Sequence, residues 1–385
     1  MKILVTSDTF LPLLGGGEIH VFEMCHRLVR HGHEVTLVTN QDGKGKKDDE
    51  FAFRVVRVVW KRKSLPKLFK ILWQESKRVD IIHAHYSYRL TAMATLVGRL
   101  RNKPSVSILH GLGTLDEPGA QFPYKQIHAI YRFLALNLAT RIISTSEDIA
   151  VVARRYLLNP KKISIIFNGL DTTKFYPSTS VPKSLEEKYK NKKVILTVRR
   201  LVPKNGIHFL VEAMPDIIKL VPNVMYIMIG TGRMEDHIKG RIRALGVEKY
   251  IDVIGQQDNT LIPGFLARAD VVVFPSTAES TSIACAEAMS MGKIVVASRV
   301  GGLVELLGTE SERGILVKLV DWQGSNYDAP ISLAKGRYEA LARAICEALL
   351  GDQSKRKEKA IQFAKTELDW EVVVEKTLKV FKELI

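Results

Sequence analysis

Short runs of β-branched and apolar residues alternate along this chain with stretches in which apolar positions recur every three or four residues. Residues 2–6, 34–39, 80–83, 105–109 and 141–145 are apolar runs of strand length, and residues 18–30 carry a helical period that Gly32 ends. Strand and helix taking turns in this way predict a parallel, doubly wound sheet. The rhythm breaks over 176–193, where Pro177, Ser178, Thr179, Ser180 and Pro182 precede a lysine-rich stretch, the expected linker. A second series follows at 194–198, 224–229, 252–254, 271–274 and 294–297. Residues 369–385 predict a last helix with Trp370, Val373, Val374, Leu378, Phe381 and Leu384 on one apolar face. The fold class is therefore α/β, with two Rossmann-like domains, 1–176 and 191–368, and a cleft between them.

Composition changes this picture little. With 385 residues the chain suits two domains, and 46% hydrophobic against 25% charged residues is ordinary for a globular protein. No apolar run approaches the ~18 residues of a membrane span, and the apolar start is too short for a signal peptide. Cys25, Cys285 and Cys346 are scattered, without metal-ligand spacing or a disulfide framework, so a reducing cytoplasm is expected. The net charge of +16 is more informative, because it favours anionic partners: phosphorylated substrates, an acidic membrane surface or nucleic acid.

Candidate chemistry gathers where strands end. The stretch Glu279-Ser280-Thr281-Ser282-Ile283-Ala284-Cys285-Ala286-Glu287 follows the strand at 271–274 and opens a helix that Gly292 ends. Its hydroxyl residues are good N-caps, which leaves the backbone amides around Thr281, Ser282 and Ile283 as a diphosphate site. Glu279, in the loop, can accept hydrogen bonds from sugar hydroxyls; Glu287, about two turns in, can hold the two hydroxyls of a ribose. Taken alone, the stretch reads equally as a capped helix with two solvated acids. Gly15-Gly16-Gly17 follows the first strand, where glycines let backbone approach a phosphate or sugar. His110-Gly111 ends another strand of the first domain, and Arg199, Arg200 and Lys204 follow the first strand of the second. Those cations can neutralise a departing diphosphate, or form an exposed basic loop.

Together these motifs resemble family four of the retaining glycosyltransferases, which have the GT-B fold. The resemblance spans nearly the whole chain and is most specific from Glu279 through Glu287-Ala288-Met289, Gly292, Val295-Val296-Ala297-Ser298 and Gly301-Gly302. Asn168-Gly169-Leu170-Asp171 with Phe175 and Pro177, and Asp80-Ile81-Ile82-His83-Ala84-His85, add to it. It implies parallel sheets facing across a central cleft and a terminal helix that crosses back to the first domain. It further implies that Glu279 contacts the donor sugar, Glu287 the ribose, Gly16 the diphosphate and acceptor, His110 the transferred sugar and Arg200 the β-phosphate. One departure stands out. The family pattern is Arg-Leu, three variable residues, then Lys-Gly; here Arg200-Leu201 is followed by Val202-Pro203-Lys204-Asn205-Gly206, so asparagine holds the lysine position and Lys204 lies one residue early. Ser280-Thr281-Ser282 also replaces the frequent Gly-Phe-Gly.

The resemblance implies transfer of a hexose from a UDP- or GDP-linked sugar to a lipid-linked or saccharide acceptor, with retention by front-face attack. No Asp-x-Asp occurs, so no metal and no cofactor are expected, the nucleotide sugar being a substrate. Residues 61–78 carry Lys61, Arg62, Lys63, Lys67, Lys70, Lys77 and Arg78 against Glu75 alone, with Leu65, Leu68, Phe69, Leu72 and Trp73 at helical spacing. This basic amphipathic stretch suits an anionic membrane surface, hence a cytoplasmic protein peripheral on the inner face, or else simply packs on the sheet. Phe122, Tyr124, Lys125, Tyr131, Arg132 and Phe133 extend that surface or line the acceptor side. A nucleotide-sugar epimerase of the same fold and a silent sugar-nucleotide-binding subunit remain as alternatives. No nucleic-acid module is recognisable, so nucleic acid is not an expected partner.

Overall fold

The computed structural model describes residues 1–12, 16–40, 48–58, 65–86, 89–111, 115, 124–321 and 333–385, and divides them into two compact units. The first comprises Met1–Gly169 and Trp370–Ile385, the second Leu170–Asp369. Gly15, Lys61, Arg62, Lys63 and Phe122, and the side chains of Tyr124 and Lys125, lie outside the described set.

In the first unit seven strands form one parallel sheet: β1 (Lys2–Ser7), β2 (Glu34–Asn40), β3 (Arg54–Val58), β4 (Ile81–His85), β5 (Ser105–Leu109), β6 (Arg141–Ser144) and β7 (Ile163–Ile165). Their order is β3-β2-β1-β4-β5-β6-β7. In the second unit β8 (Lys193–Val198), β9 (Val224–Ile229), β10 (Ile251–Gly255), β11 (Val271–Phe274), β12 (Ile294–Ser298) and β13 (Ile315–Val317) follow the order β10-β9-β8-β11-β12-β13. Both orders reverse beside the first strand of the unit, between β1 and β4 and between β8 and β11. Such switch points are where open α/β sheets bind ligands, outside the carboxyl ends of the strands.

The same clamp secures both switch points. Asp80, just before β4, accepts a hydrogen bond from Lys2 N at 2.7 Å through Oδ2, and its own N–H donates to Lys2 O at 2.8 Å. Asp270, just before β11, repeats this on Val194, at 2.8 Å and 2.9 Å. Each aspartate thereby fixes the register of its switch-point pair, Ile3 against Ile81 and Ile195 against Val271. The inner strands are apolar on both faces because helices cover both, so Val271–Phe274 and Ile294–Ser298 are buried throughout.

The structure adds three strands that the apolar runs did not reveal: β3, β7 and β13, all short. β3 and β13 lie at sheet edges and β7 ends its sheet, so they need less apolar sequence than the centre. The expected linker, 176–193, belongs to the second unit, and so does the segment before it. Ser290 Oγ donates to the Phe175 carbonyl at 2.6 Å, and Phe175 itself is buried. Within that unit Leu170 N donates to Leu368 O at 2.7 Å and Leu170 forms a parallel bridge with Asp369, so the two points where the chain passes between units are neighbours.

The basic amphipathic helix Leu65–Glu75 uses its apolar face internally. Leu68 and Leu72 are buried with Leu4, Ile82 and Val97, and Trp73 lies beneath the Arg101 guanidinium at 4.5 Å. Lys67, Lys70, Lys77 and Arg78 remain at the surface. Among the described residues no helix is long and apolar enough to cross a membrane.

The terminal helix Trp370–Lys382 closes the first unit's core. Trp370, Val373, Val374 and Phe381 pack with Ile3, Val21, Met24 and Ile81, and the Arg27 guanidinium lies 5.4 Å from the Trp370 ring. Replacing a large buried aromatic leaves a cavity its neighbours fill only in part. Trp370→Ala is therefore expected to cost about 3–5 kcal/mol in urea unfolding followed by fluorescence of the remaining tryptophans. Wild-type stability in that variant would show that the helix is dispensable to the core.

Candidate functional site

In the first unit, four histidines crowd the carboxyl ends of β4 and β5. A strand sends every second side chain to one face, so His83 and His85 of β4 lie together, with ring centroids 4.5 Å apart. His110, just after β5, stacks on His85 at 5.1 Å, and its Nε2 shares a proton with His85 Nδ1 across 2.8 Å. His20, from the helix Gly16–Arg30 that follows β1, comes within 4.7 Å of the His110 ring and 5.0 Å of Trp370, with Asn168 beside it. Tyr86 holds a left-handed backbone, φ 69°, and its ring lies 5.0 Å from His110. Gly16 is exposed at the first position of its helix.

Burial keeps these imidazoles neutral. It lowers His110 to about 4 and His83 to about 3, the latter with His110 adding repulsion, and it pushes His20 and His85 well below the ordinary range. In water such groups would take a proton near 6.5, so their contribution to stability is intact above that pH and is lost as pH falls below it. At pH 5 the loss is about 2 kcal/mol for each of His83 and His110. A neutral His110 offers a sugar hydroxyl one hydrogen bond and no charge. His20, His85 and His110 are also the one metal-ligating group among the described residues, with ligand atoms all within 4.8 Å of one another. As placed, His85 Nδ1 and His110 Nε2 are joined by a hydrogen bond.

In the second unit the charged groups meet. The carboxyl ends of β8 and β11 bring Arg199 beside Glu279. Arg199 Nη2 donates to Glu279 Oε2 and, at 3.1 Å, to Asn205 Oδ1, while Nη1 reaches Ser282 Oγ at 3.5 Å. Ser282 is the N-cap of the helix Ile283–Ser290; its hydroxyl accepts from Cys285 N at 3.3 Å. The Glu279 loop is held by Gly302, whose N–H donates to the Glu279 carbonyl at 2.9 Å and whose Cβ, if present, would lie 2.1 Å from Ser280 O. Gly206 works the same way beneath the Lys204 loop: its φ is +66° and a Cβ there would stand 1.8 Å from Pro275 O. Thr281 and Ile283 are half-buried beside the cap, Lys204 is half-exposed, and Arg200 is exposed. Glu287, further along the same helix, has its carboxyl pushed up to about 7 by burial, with Lys174 pulling the other way.

The structure thus brings Glu279, Ser282 and the Asn205 departure into one cluster with Arg199; Thr281 and Ile283 flank the cap, Glu287 lies further along the same helix and Lys204 in the loop before Asn205, while His110 and Gly16 belong to the first unit. The cation of the cluster is Arg199; Arg200, to which the resemblance gives the β-phosphate, is exposed beside it. Period-two spacing in His83-Ala84-His85 was a readable sign of the histidine group.

Comparison with known proteins defines the class. The Anabaena protein HepE, crystallised with UDP, has a matching overall fold, with a TM-score of 0.80 at 21% identity over the whole of both chains, so the fold is GT-B. Residues 183–326 match the family described as glycosyl transferases group 1, and residues 14–174 match glycosyltransferase family 4. The chain belongs to these family-four glycosyltransferases and is an enzyme of that class. An Escherichia coli relative, UDP-Gal:alpha-D-GlcNAc-diphosphoundecaprenol alpha-1,3-galactosyltransferase, is 28% identical over 83% of this chain and 85% of its own length. An Arabidopsis thaliana relative, one of the subunits of phosphatidylinositol N-acetylglucosaminyltransferase, is 25% identical over 80% of this chain and 69% of its own.

Glu287 yields a pH dependence of defined sign. Its folded value of about 7 exceeds the ordinary 4.5, so its contribution to stability is present below 4.5 and lost as pH rises through 7. Binding a ribose through the carboxylate needs the opposite state. Nucleotide affinity measured by calorimetry is expected to rise by up to about 10-fold from pH 6 to pH 7.5 and to be flat in Glu287→Gln. An unchanged profile in Glu287→Gln would remove Glu287 from the nucleotide site.

Proposed function

We propose that this protein transfers a hexose from a nucleoside-diphosphate sugar, UDP- or GDP-linked, to a lipid-linked or saccharide acceptor, with retention and without a metal. The observation that carries the reading is the cluster at the β8–β11 switch point, where a held guanidinium, a capped helix N-terminus and Glu279 converge, with Glu287 on the same helix. Helix amides and a fixed cation together suit a diphosphate, and groups aimed at developing phosphate charge lower the barrier to its departure. Arg200 and Lys204 stand at the same edge. Glu279 and Glu287 supply acceptors for sugar and ribose hydroxyls.

The relatives support the chemistry chosen. The names of the two enzymes given above specify a diphosphoundecaprenol acceptor in one case and phosphatidylinositol in the other, and HepE was crystallised with UDP. We therefore favour a UDP-sugar and a lipid-linked acceptor, at the cytoplasmic face of a membrane. The surface cations Lys67, Lys70, Lys77 and Arg78 would contribute there by charge alone, making the association sensitive to salt. In the front-face route the departing phosphate oxygen takes the proton of the acceptor hydroxyl, so the protein supplies position and charge and no covalent nucleophile. The roles of Gly16 and His110 rest on the family resemblance.

The test is a calorimetric binding and turnover screen of the purified protein against UDP-, GDP- and ADP-sugars, with Glu287→Ala alongside. One donor bound and turned over, with affinity about 10- to 100-fold weaker in Glu287→Ala, is the expected result. A donor bound but not turned over would instead indicate a silent sugar-nucleotide-binding subunit, failure to bind any nucleotide sugar would remove the site, and an epimerised sugar released without acceptor would indicate an epimerase.

A further inference from the structure

Asn205 stands where the family pattern has a lysine, and the structure brings a different cation to that place. The side chain is 3% exposed and both ends of its amide are engaged: Nδ2 donates to the Arg200 carbonyl at 2.8 Å, and Oδ1 accepts from Arg199 Nη2 at 3.1 Å. An asparagine can do both at once; a lysine, with donors only, could not accept from the guanidinium and would repel it. The guanidinium is further fixed by Glu279, by Ser282 Oγ at 3.5 Å and by the Phe274 ring at 5.4 Å. It is therefore set between the end of β8, the end of β11 and the cap of the helix Ile283–Ser290.

A structural ion pair would not need such a setting. Burying two charges to pair them gives little net stability, and apolar replacements often serve as well. The Arg199 and Glu279 side chains are 11% and 13% exposed, so solvent still reaches both. The three polar contacts engage Nη1 and Nη2 of a group with five N–H donors, leaving donors for a phosphate. A planar fork also matches phosphate oxygens in pairs, which an ammonium does not.

We propose that Arg199 is the cation that binds the donor's diphosphate and stabilises the departing nucleoside diphosphate, with Asn205 and Glu279 as positioning residues for its guanidinium. This rests on the transferase reading above. In the step, the bond from the anomeric carbon to the β-phosphate oxygen breaks and its electron pair stays on that oxygen. The acceptor oxygen bonds to the anomeric carbon, and its proton passes to the departing phosphate. Arg199 stays protonated throughout and offsets the charge that grows on the phosphate. Asn205 is then the fitted partner of an arginine, and the family lysine is replaced in function by a residue six positions earlier in the chain.

A nucleoside diphosphate separates this role from one exerted through Glu279, because it has no sugar for Glu279 to hold. Calorimetry with UDP, GDP and ADP, and with the UDP-, GDP- and ADP-sugars, would be run on wild type, Arg199→Ala, Arg199→Lys and Arg199→Ala/Asn205→Lys, with thermal melts to confirm folding. Arg199→Ala is expected to weaken nucleoside-diphosphate binding about 30-fold, and the double variant to recover to within about 5-fold of wild type. Should Arg199→Ala fail to fold, the Arg199→Lys and double variants carry the test, and binding within about 10-fold of wild type in both is then expected. Wild-type affinity for the nucleoside diphosphate in Arg199→Ala, with loss only for the nucleotide sugar, would overturn the assignment and leave Arg199 acting through Glu279. A double variant no better than Arg199→Ala would overturn it as well. If the wild type binds no nucleoside diphosphate, the transferase reading itself fails, an outcome distinct from both of these.

Discussion

The parallel pairing of β8 with β11 is the constraint on which the second unit's chemistry depends. Asp270 fixes it by exchanging two hydrogen bonds with Val194, and Ile195 then lies opposite Val271. With that register set, Arg199 leaves one strand where the loop to Glu279 leaves its neighbour, and a guanidinium and a carboxylate from distant parts of the chain meet. A slip by one residue would send Arg199 to the other side and bring Arg200 in. The glycines serve the same end, since Gly206 and Gly302 let two loops approach backbone more closely than any side chain allows.

The two units build sites of opposite electrical character on one architecture. In the first, buried imidazoles at the ends of β4 and β5 are held neutral by desolvation, and the His85–His110 bond fixes ring orientation without fixed charge. In the second, a guanidinium, two acids and a helix N-terminus concentrate charge at one sheet edge. Neutral hydrogen-bonding groups suit hydroxyls and fixed positive groups suit phosphates, so the two sites differ in the chemistry they can recognise.

Much of this was legible in the sequence because buried parallel strands read as unbroken apolar runs, and 271–274 and 294–297 fall on β11 and β12 to within a residue. The capped helix after Glu279 was equally plain, with Ser282 serving as cap. The edge strand β3 was hidden because it buries less: it is half-exposed and mixes valine with arginine. That Arg199 meets Glu279 was hidden for a different reason, because the contact joins residues 80 positions apart in the chain. For the helix Leu65–Glu75 the sequence left two readings, since an amphipathic period states that one face is buried and is silent on what covers it; Leu68 and Leu72 pack inside the first unit.

The most direct measurement is a crystal structure of the protein with the nucleoside diphosphate it binds. The account predicts a β-phosphate oxygen within about 3 Å of the Arg199 guanidinium at the N-cap of the helix Ile283–Ser290, with Asn205 still accepting from Arg199 and the ribose on Glu287. A diphosphate held by Lys204 or Arg200 with Arg199 turned away on Glu279, or a nucleotide bound elsewhere, would contradict it.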